Sequence, residues 1–199
     1  MELMENYSKN RKYIIVVSGL PRSGTSMMMK MLQAGGVNIL TDNLRAADEN
    51  NPKGYYEYER VKQLEKGDIA WVAEAEGKAV KIVSYLLEFL PAEYFYKVIF
   101  MQRDMTEILA SQRRMLEREG KSDNSPDDEK MAALFKKHLA KVENWLAQQK
   151  NIETLYVSYN QTLVSPLETL ERLDAFLDKR LDRDAMWLVI DQNLYRERR

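Results

Sequence analysis

The chain has 199 residues, 30 Lys+Arg against 31 Asp+Glu, a formal charge of −1, 45% hydrophobic residues and no cysteine. Near-zero charge excludes a generic nucleic-acid coat or membrane-surface binder, both of which need excess positive charge, and zero cysteine excludes disulfides, zinc ribbons, iron–sulfur clusters and thiol catalysis. A single histidine, His138, excludes a multi-histidine metal site; a length suited to one domain over 1–199, with no apolar leader and no membrane-length run, predicts a soluble cytoplasmic protein.

In chain order, 13–17 is a short β-branched run ending at Ser18-Gly19, the pattern of a strand buried on both faces. From Gly24 the period becomes helical through Met27, Met28, Met31 and Leu32 until Gly35-Gly36 stops it; these methionines are expected to fill helix-to-sheet gaps. Residues 42–54 read as a surface loop, with a helix resuming near Glu57. Segments 78–83 and 94–101 predict a second and a third strand. Asp104-Met105-Thr106-Glu107 has the capping-box pattern and opens a helix through Ile108, Leu109, Met115 and Leu116. Residues 119–128 have the composition of a surface loop or lid, and 131–149 carries an apolar stripe through Leu134, Phe135, Val142 and Trp145, with His138 packed in it. A fourth strand is expected at 154–157. Ser165-Pro166-Leu167-Glu168 combines an N-cap serine, proline at the first helical position and a glutamate three residues on, opening a helix to Asp178.

Strands alternating with helices indicate parallel βαβ units. The expected fold is α/β, a three-layer P-loop-like arrangement with a central, mainly parallel sheet flanked by helices and ligands at the strand C-terminal ends.

The stretch that carries chemistry is Ser18-Gly19-Leu20-Pro21-Arg22-Ser23-Gly24-Thr25-Ser26, between a predicted strand and a predicted helix. Gly19 and Gly24 have P-loop spacing, in which successive backbone N–H groups and a helix N-terminus form a concavity for phosphate or sulfate. An ordinary strand-to-helix turn is the plain alternative. The lysine that a nucleotide hydrolase places after its second glycine is Thr25 here, and the cation has moved to Arg22. No residue stands out as the acidic Mg²⁺ ligand of a kinase, since Asp104 is better used as a helix cap.

This stretch resembles the 5′-phosphosulfate-binding loop of the sulfotransferases, in the Pro-Arg-Ser-Gly-Thr form common in bacterial and Golgi-type members; cytosolic members usually carry lysine at Arg22. A second family element, an arginine at a strand end followed eight residues later by a serine, is matched by Arg103 and Ser111. The resemblance implies that these two bind the 3′-phosphate of the donor, 3′-phosphoadenosine 5′-phosphosulfate (PAPS), and that no metal is required. Seven helical steps from Asp104 to Ser111 span about 10 Å, so the two side chains can approach one phosphate from different sides. Tyr159 to Pro166 follows the family's Tyr-Glu-x-Leu-x-x-Asp-Pro pattern in its tyrosine and proline spacing, with the acidic residue and leucine altered; the resemblance places Tyr159 near the adenine. The run Asn51-Pro52-Lys53-Gly54-Tyr55-Tyr56-Glu57 resembles a loop of bacterial members, and the basic tail offers Arg196 as a clamp on the 3′-phosphate.

What this implies is a PAPS-dependent sulfotransferase moving a sulfuryl group to an acceptor hydroxyl or amine. Pro21, Arg22, Ser23, Gly24, Thr25 and Ser26 cradle the phosphosulfate, and Arg22 stabilises the departing phosphate. Cytosolic members place a histidine just after the second strand, where this chain reads Lys81-Ile82-Val83-Ser84-Tyr85. Glu57 is therefore the candidate general base, with Lys53 and Lys81 as helpers at the sulfate. The acceptor is expected to be a small molecule, carbohydrate or lipid at a shallow site; neither nucleic acid nor a membrane span is expected, and a homo-oligomer is left open. A P-loop nucleotide kinase or NTPase and a non-catalytic nucleotide-binding module on the same fold are the competing readings.

Overall fold

The computed structural model describes residues 12–42, 44, 54–118, 120, 127–178 and 181–190. Strand β1 (Ile14–Gly19) is buried at all six positions, as an uncharged β-branched run is when both faces of its sheet are covered. Helix α1 (Thr25–Ala34) follows the glycine loop. Two 3₁₀ segments, Glu59–Lys66 and Val72–Ala75, lead into β2 (Ala79–Lys81), and a third, Ser84–Phe89, follows it. The chain then runs through β3 (Tyr96–Gln102), α2 (Met105–Arg118), α3 (Asp128–Leu146), β4 (Ile152–Ser158), α4 (Tyr159–Val164), α5 (Pro166–Leu177) and α6 (Arg183–Val189).

All four strands pair in parallel, in the order β2-β1-β3-β4. Alternation along β1 sorts the core. Ile15 and Val17 face a cluster with Met28, Met29, Met31 and Leu32 of α1 and Leu170, Leu173 and Leu177 of α5. Ile14 and Val16 face the other side, with Trp71, just before the second 3₁₀ segment, Leu86 and Leu87 of the third, and Val142 and Leu146 of α3. Each fully buried aliphatic side chain contributes roughly 1.5–3 kcal/mol, so two filled faces fix the sheet between its helical layers. At the N-terminal edge of the sheet, Lys97 caps the end of α5, donating to Phe176 O and Asp178 at 2.6 Å each. The Tyr13 hydroxyl donates to Leu177 O beside it, and burial, with Asp178 and Glu153 nearby, pushes the Tyr13 phenol up to about 12.

Several local expectations are corrected. The strand predicted at 78–83 pairs only over Ala79–Lys81, because the chain turns into a 3₁₀ segment at Ser84. The helix expected near Glu57 is a 3₁₀ segment that starts at Glu59. Leu134 is 60% exposed; the inward face of α3 is Leu139, Val142, Trp145 and Leu146. Ser165 precedes α5 without a side-chain capping bond, and Pro166 stands in its first turn; the Ser165 N–H closes α4 onto Gln161 O at 2.7 Å. No helix among the described residues is long and apolar enough to cross a membrane.

Candidate functional site

Strand β1 has β2 on one side and β3 on the other, so the chain reverses its direction of winding between β1 and β3. The crevice beyond the C-terminal ends of two such strands is where a parallel sheet receives ligands. Gly19 of β1 is in register with Met101 of β3, which brings the 19–24 loop and Arg103 to the same crevice.

The loop is shaped by three residues of positive φ: Gly19 (145°), Arg22 (70°) and Gly24 (99°). A Cβ at Gly19 would stand 2.6 Å from Met101 O, and one at Gly24 would stand 2.4 Å from Cδ2 of Tyr159. Glycine is thus required at both positions, by backbone angle and by space. Ser23 N–H closes a turn onto Leu20 O at 3.2 Å, and the hydroxyl of Ser23, 1% exposed, has no partner among the described residues; nor does that of Ser18. Helix α1 opens at Gly24 with no side-chain cap and no acidic residue in its first turn. Its first N–H groups lack intrahelical acceptors and its dipole favours an anion there.

Around this concavity the side chains interlock. Arg22 Nε donates to Ser111 Oγ at 2.9 Å, joining the loop to α2. Arg103 Nη1 donates to Arg22 O at 3.0 Å, bracing the left-handed residue from below. The Arg103 guanidinium lies over the Tyr159 ring, 4.4 Å from its centre, and its Nε donates to Glu107 Oε2 at 2.9 Å. Pro21 is exposed, and Thr25 and Ser26 are half-buried.

The capping box expected at Asp104 is only half made. Asp104 Oδ1 accepts from Thr106 N at 2.9 Å and Glu107 N at 3.4 Å, but Asp104 N donates to Asn160 Oδ1 while the Glu107 carboxylate turns to Arg103 and Asn160. Glu107 and Asn160 are site residues that the sequence reading did not single out. Local pattern favoured a cap, and the partners that override it lie across the fold.

A second group stands at the end of β2. Lys81 Nζ donates to Tyr55 O at 2.6 Å and to Ser26 Oγ at 3.3 Å, and it lies 3.8 Å from a carboxylate oxygen of Glu57. Glu57 is also 3.7 Å from Lys62. Glu57, Lys81 and the loop serine Ser26 are therefore one cluster. His138, expected to pack, is half-buried but makes a polar contact: Nε2 is 2.8 Å from Ser84 Oγ, and burial, with Lys141 adding to it, holds the ring below its ordinary pKa while Glu88 opposes. Arg113 and Arg114 are exposed, and Arg113 pairs with Asp128. Among the described residues no three His, Asp or Glu side chains are placed to hold a metal. Arg196, Lys53 and most of the 42–54 and 119–128 loops lie outside the described residues.

A family model described as a sulfotransferase domain matches residues 12–197. Among solved structures the chain is similar to sulfotransferase STF1 from Mycobacterium tuberculosis H37Rv, at 16% identity and a TM-score of 0.60, covering 96% of this chain and 74% of that one. It is also similar to mouse sulfotransferase SULT7A1 complexed with PAP, at 18% and 0.54, covering 90% and 63%. A third is retinol dehydratase in complex with androsterone and inactive cofactor PAP, at 17% and 0.51, covering 88% and 62%. The chain thus spans less than two thirds of the last two, and at these identities the likeness speaks to the fold. No curated protein matches the chain.

Proposed function

The chain belongs to the sulfotransferase domain family, and on that premise we propose that it moves a sulfuryl group from PAPS to the hydroxyl or amine of a small-molecule, carbohydrate or lipid acceptor. The observation that carries this reading is the 19–26 loop: an uncapped helix N-terminus, an orphaned buried hydroxyl on Ser23 and a left-handed Arg22 converge at the sheet's switch point. That donor set fits a dianionic phosphosulfate and, through Arg103, Ser111 and Tyr159, a second phosphate on an adenosine. Two structural relatives carry PAP in their descriptions, and the same ligand class is assigned here as part of the proposal.

The donor supplies a sulfuryl group already activated on a phosphate oxygen. The chain's contribution is to receive the charge that collects on that oxygen when its bond to sulfur breaks. Backbone N–H groups of the first α1 turn and the Arg22 guanidinium are preorganised for this, and such donors act most strongly where water is excluded. Arginine remains charged and binds two oxygens at once, so Arg22 works as a clamp and not as a proton donor. Arg103 and Ser111 are assigned to the 3′-phosphate, Tyr159 to the neighbourhood of the adenine, and Arg196, outside the described residues, to the same phosphate. Glu57 takes the proton released as the acceptor oxygen bonds to sulfur, and Lys81, between Glu57 and Ser26, neutralises the sulfuryl oxygens. A cytoplasmic location, consistent with a chain free of cysteine, belongs to the same proposal.

The kinase reading fails on the family and on Asp104, whose carboxylate caps α2. Transfer of labelled sulfate from PAPS to a panel of phenols, sugars and lipids, with chelator present, tests the function. Turnover of at least one acceptor class is expected; donor binding without turnover across the panel would instead favour a non-catalytic module.

A further inference from the structure

We propose that Glu107 is a positioning residue for donor binding, a single buried carboxylate that aims Arg103 at the 3′-phosphate; the proposal rests on the donor-site reading above. Glu107 is 4% exposed, although it stands in the first turn of α2, where a glutamate ordinarily points to water. Both of its oxygens are used: Oε2 accepts from Arg103 Nε at 2.9 Å and Oε1 accepts from Asn160 Nδ2 at 2.9 Å. Asn160 in turn accepts from Asp104 N through Oδ1 at 3.4 Å.

The geometry follows from what each contact leaves. Holding Arg103 by Nε fixes the plane of the guanidinium, so that Nη1 reaches Arg22 O and one face lies on the Tyr159 ring. Glu107 thus ties four parts of the site together: the end of β3, the first turn of α2, the start of α4 and the phosphosulfate loop. A buried carboxylate persists only when paired and hydrogen-bonded, and the pairing here orders the Arg103 guanidinium, whose Nη1 reaches the loop at Arg22 O. An arginine freed from Glu107 would keep its charge and lose its direction, so the expected loss is in phosphate recognition and not in transfer once the donor is bound.

The test is calorimetric binding of adenosine 3′,5′-bisphosphate and of adenosine 5′-monophosphate, which lacks the 3′-phosphate. The wild-type protein should prefer the bisphosphate strongly, and Glu107→Gln should reduce that preference by about tenfold, the worth of one charge-assisted hydrogen bond. Glu107→Ala should reduce it further, while turnover at saturating donor falls much less than the donor KM rises. A merely structural role would weaken both nucleotides equally and leave their ratio untouched. Should the buried substitutions prevent folding, Asn160→Ala removes the second bond to the same carboxylate and should lower the preference about threefold; an unchanged ratio there overturns the proposal. A wild-type protein with no preference for the bisphosphate contradicts the donor reading itself, whereas an intact preference in Glu107→Gln contradicts only the role of Glu107.

Discussion

Gly24→Ala probes the point where α1, the left-handed loop and Tyr159 meet. At φ 99° and ψ 13° a residue with a Cβ pays roughly 1–2 kcal/mol in backbone strain. The added carbon would also stand 2.4 Å from Cδ2 of Tyr159. The ring escapes only by moving, and it lies under the Arg103 guanidinium; overpacking of this kind costs about 1–3 kcal/mol. The sum, about 2–5 kcal/mol, lowers the melting temperature by roughly 5–15 °C for a chain of this size. Thermal unfolding followed by circular dichroism for wild type, Gly24→Ala, Tyr159→Ala and the double variant separates the two causes. Removing the ring erases the steric part and leaves the backbone part, so the single costs should not add. A Gly24→Ala protein that melts with the wild type refutes the loop geometry, and strictly additive costs refute the contact with Tyr159.

Arg22→Ala should slow transfer by about 10²–10³-fold while weakening donor affinity far less, and Arg103→Ala should do the reverse; initial rates with a bisphosphate titration measure both, and small, equal effects contradict the assigned roles. Glu57→Gln should cost about 10²–10⁴ in turnover with donor affinity kept, and Lys81→Met, which releases Glu57, Ser26 and Tyr55 O together, should also lower turnover; full activity in either variant removes that residue from the chemistry. Burial holds the folded-state pKa of His138 below the ordinary imidazole value of 6.5, so just below that pH the unfolded chain binds more protons. The stability carried by neutral His138 is then present above pH 6.5 and lost as pH falls through the folded pKa. Melting curves on either side of that range should show a larger acid loss in wild type than in His138→Gln, and equal losses contradict the burial of a neutral ring.

The centre of the sheet was legible because β1 and β3 are continuous buried runs with glycine or polar residues at their ends: 13–17 and 94–101 announce them to within two residues. The loop was legible because Gly19 and Gly24 serve geometry that other residues cannot adopt. Lys81 and Glu57 were each named, but their meeting through Ser26 and Tyr55 O depends on where β2 ends, which no local pattern records. Leu134 was misassigned because Val142 and Trp145 belong to more than one apolar stripe on α3, and packing against the Ser84–Phe89 segment turns Leu139 and Leu146 inward with them. Glu107 was hidden by its own local signal. The capping pattern is a property of four neighbouring residues; the Arg103 pairing four residues back shares that stretch with it, and the second partner, Asn160, is 53 positions away, a span that leaves no period or spacing in the sequence.

The crevice between β1 and β3 is assigned here to an adenosine bisphosphate donor bound without metal. Calorimetric titration of adenosine 3′,5′-bisphosphate in the presence of chelator, beside ATP with Mg²⁺, tests it most directly. Saturable binding of the bisphosphate is expected, abolished in the Arg22→Ala, Arg103→Ala double variant and indifferent to Mg²⁺. Binding of ATP that requires Mg²⁺, with none of the bisphosphate, would contradict it.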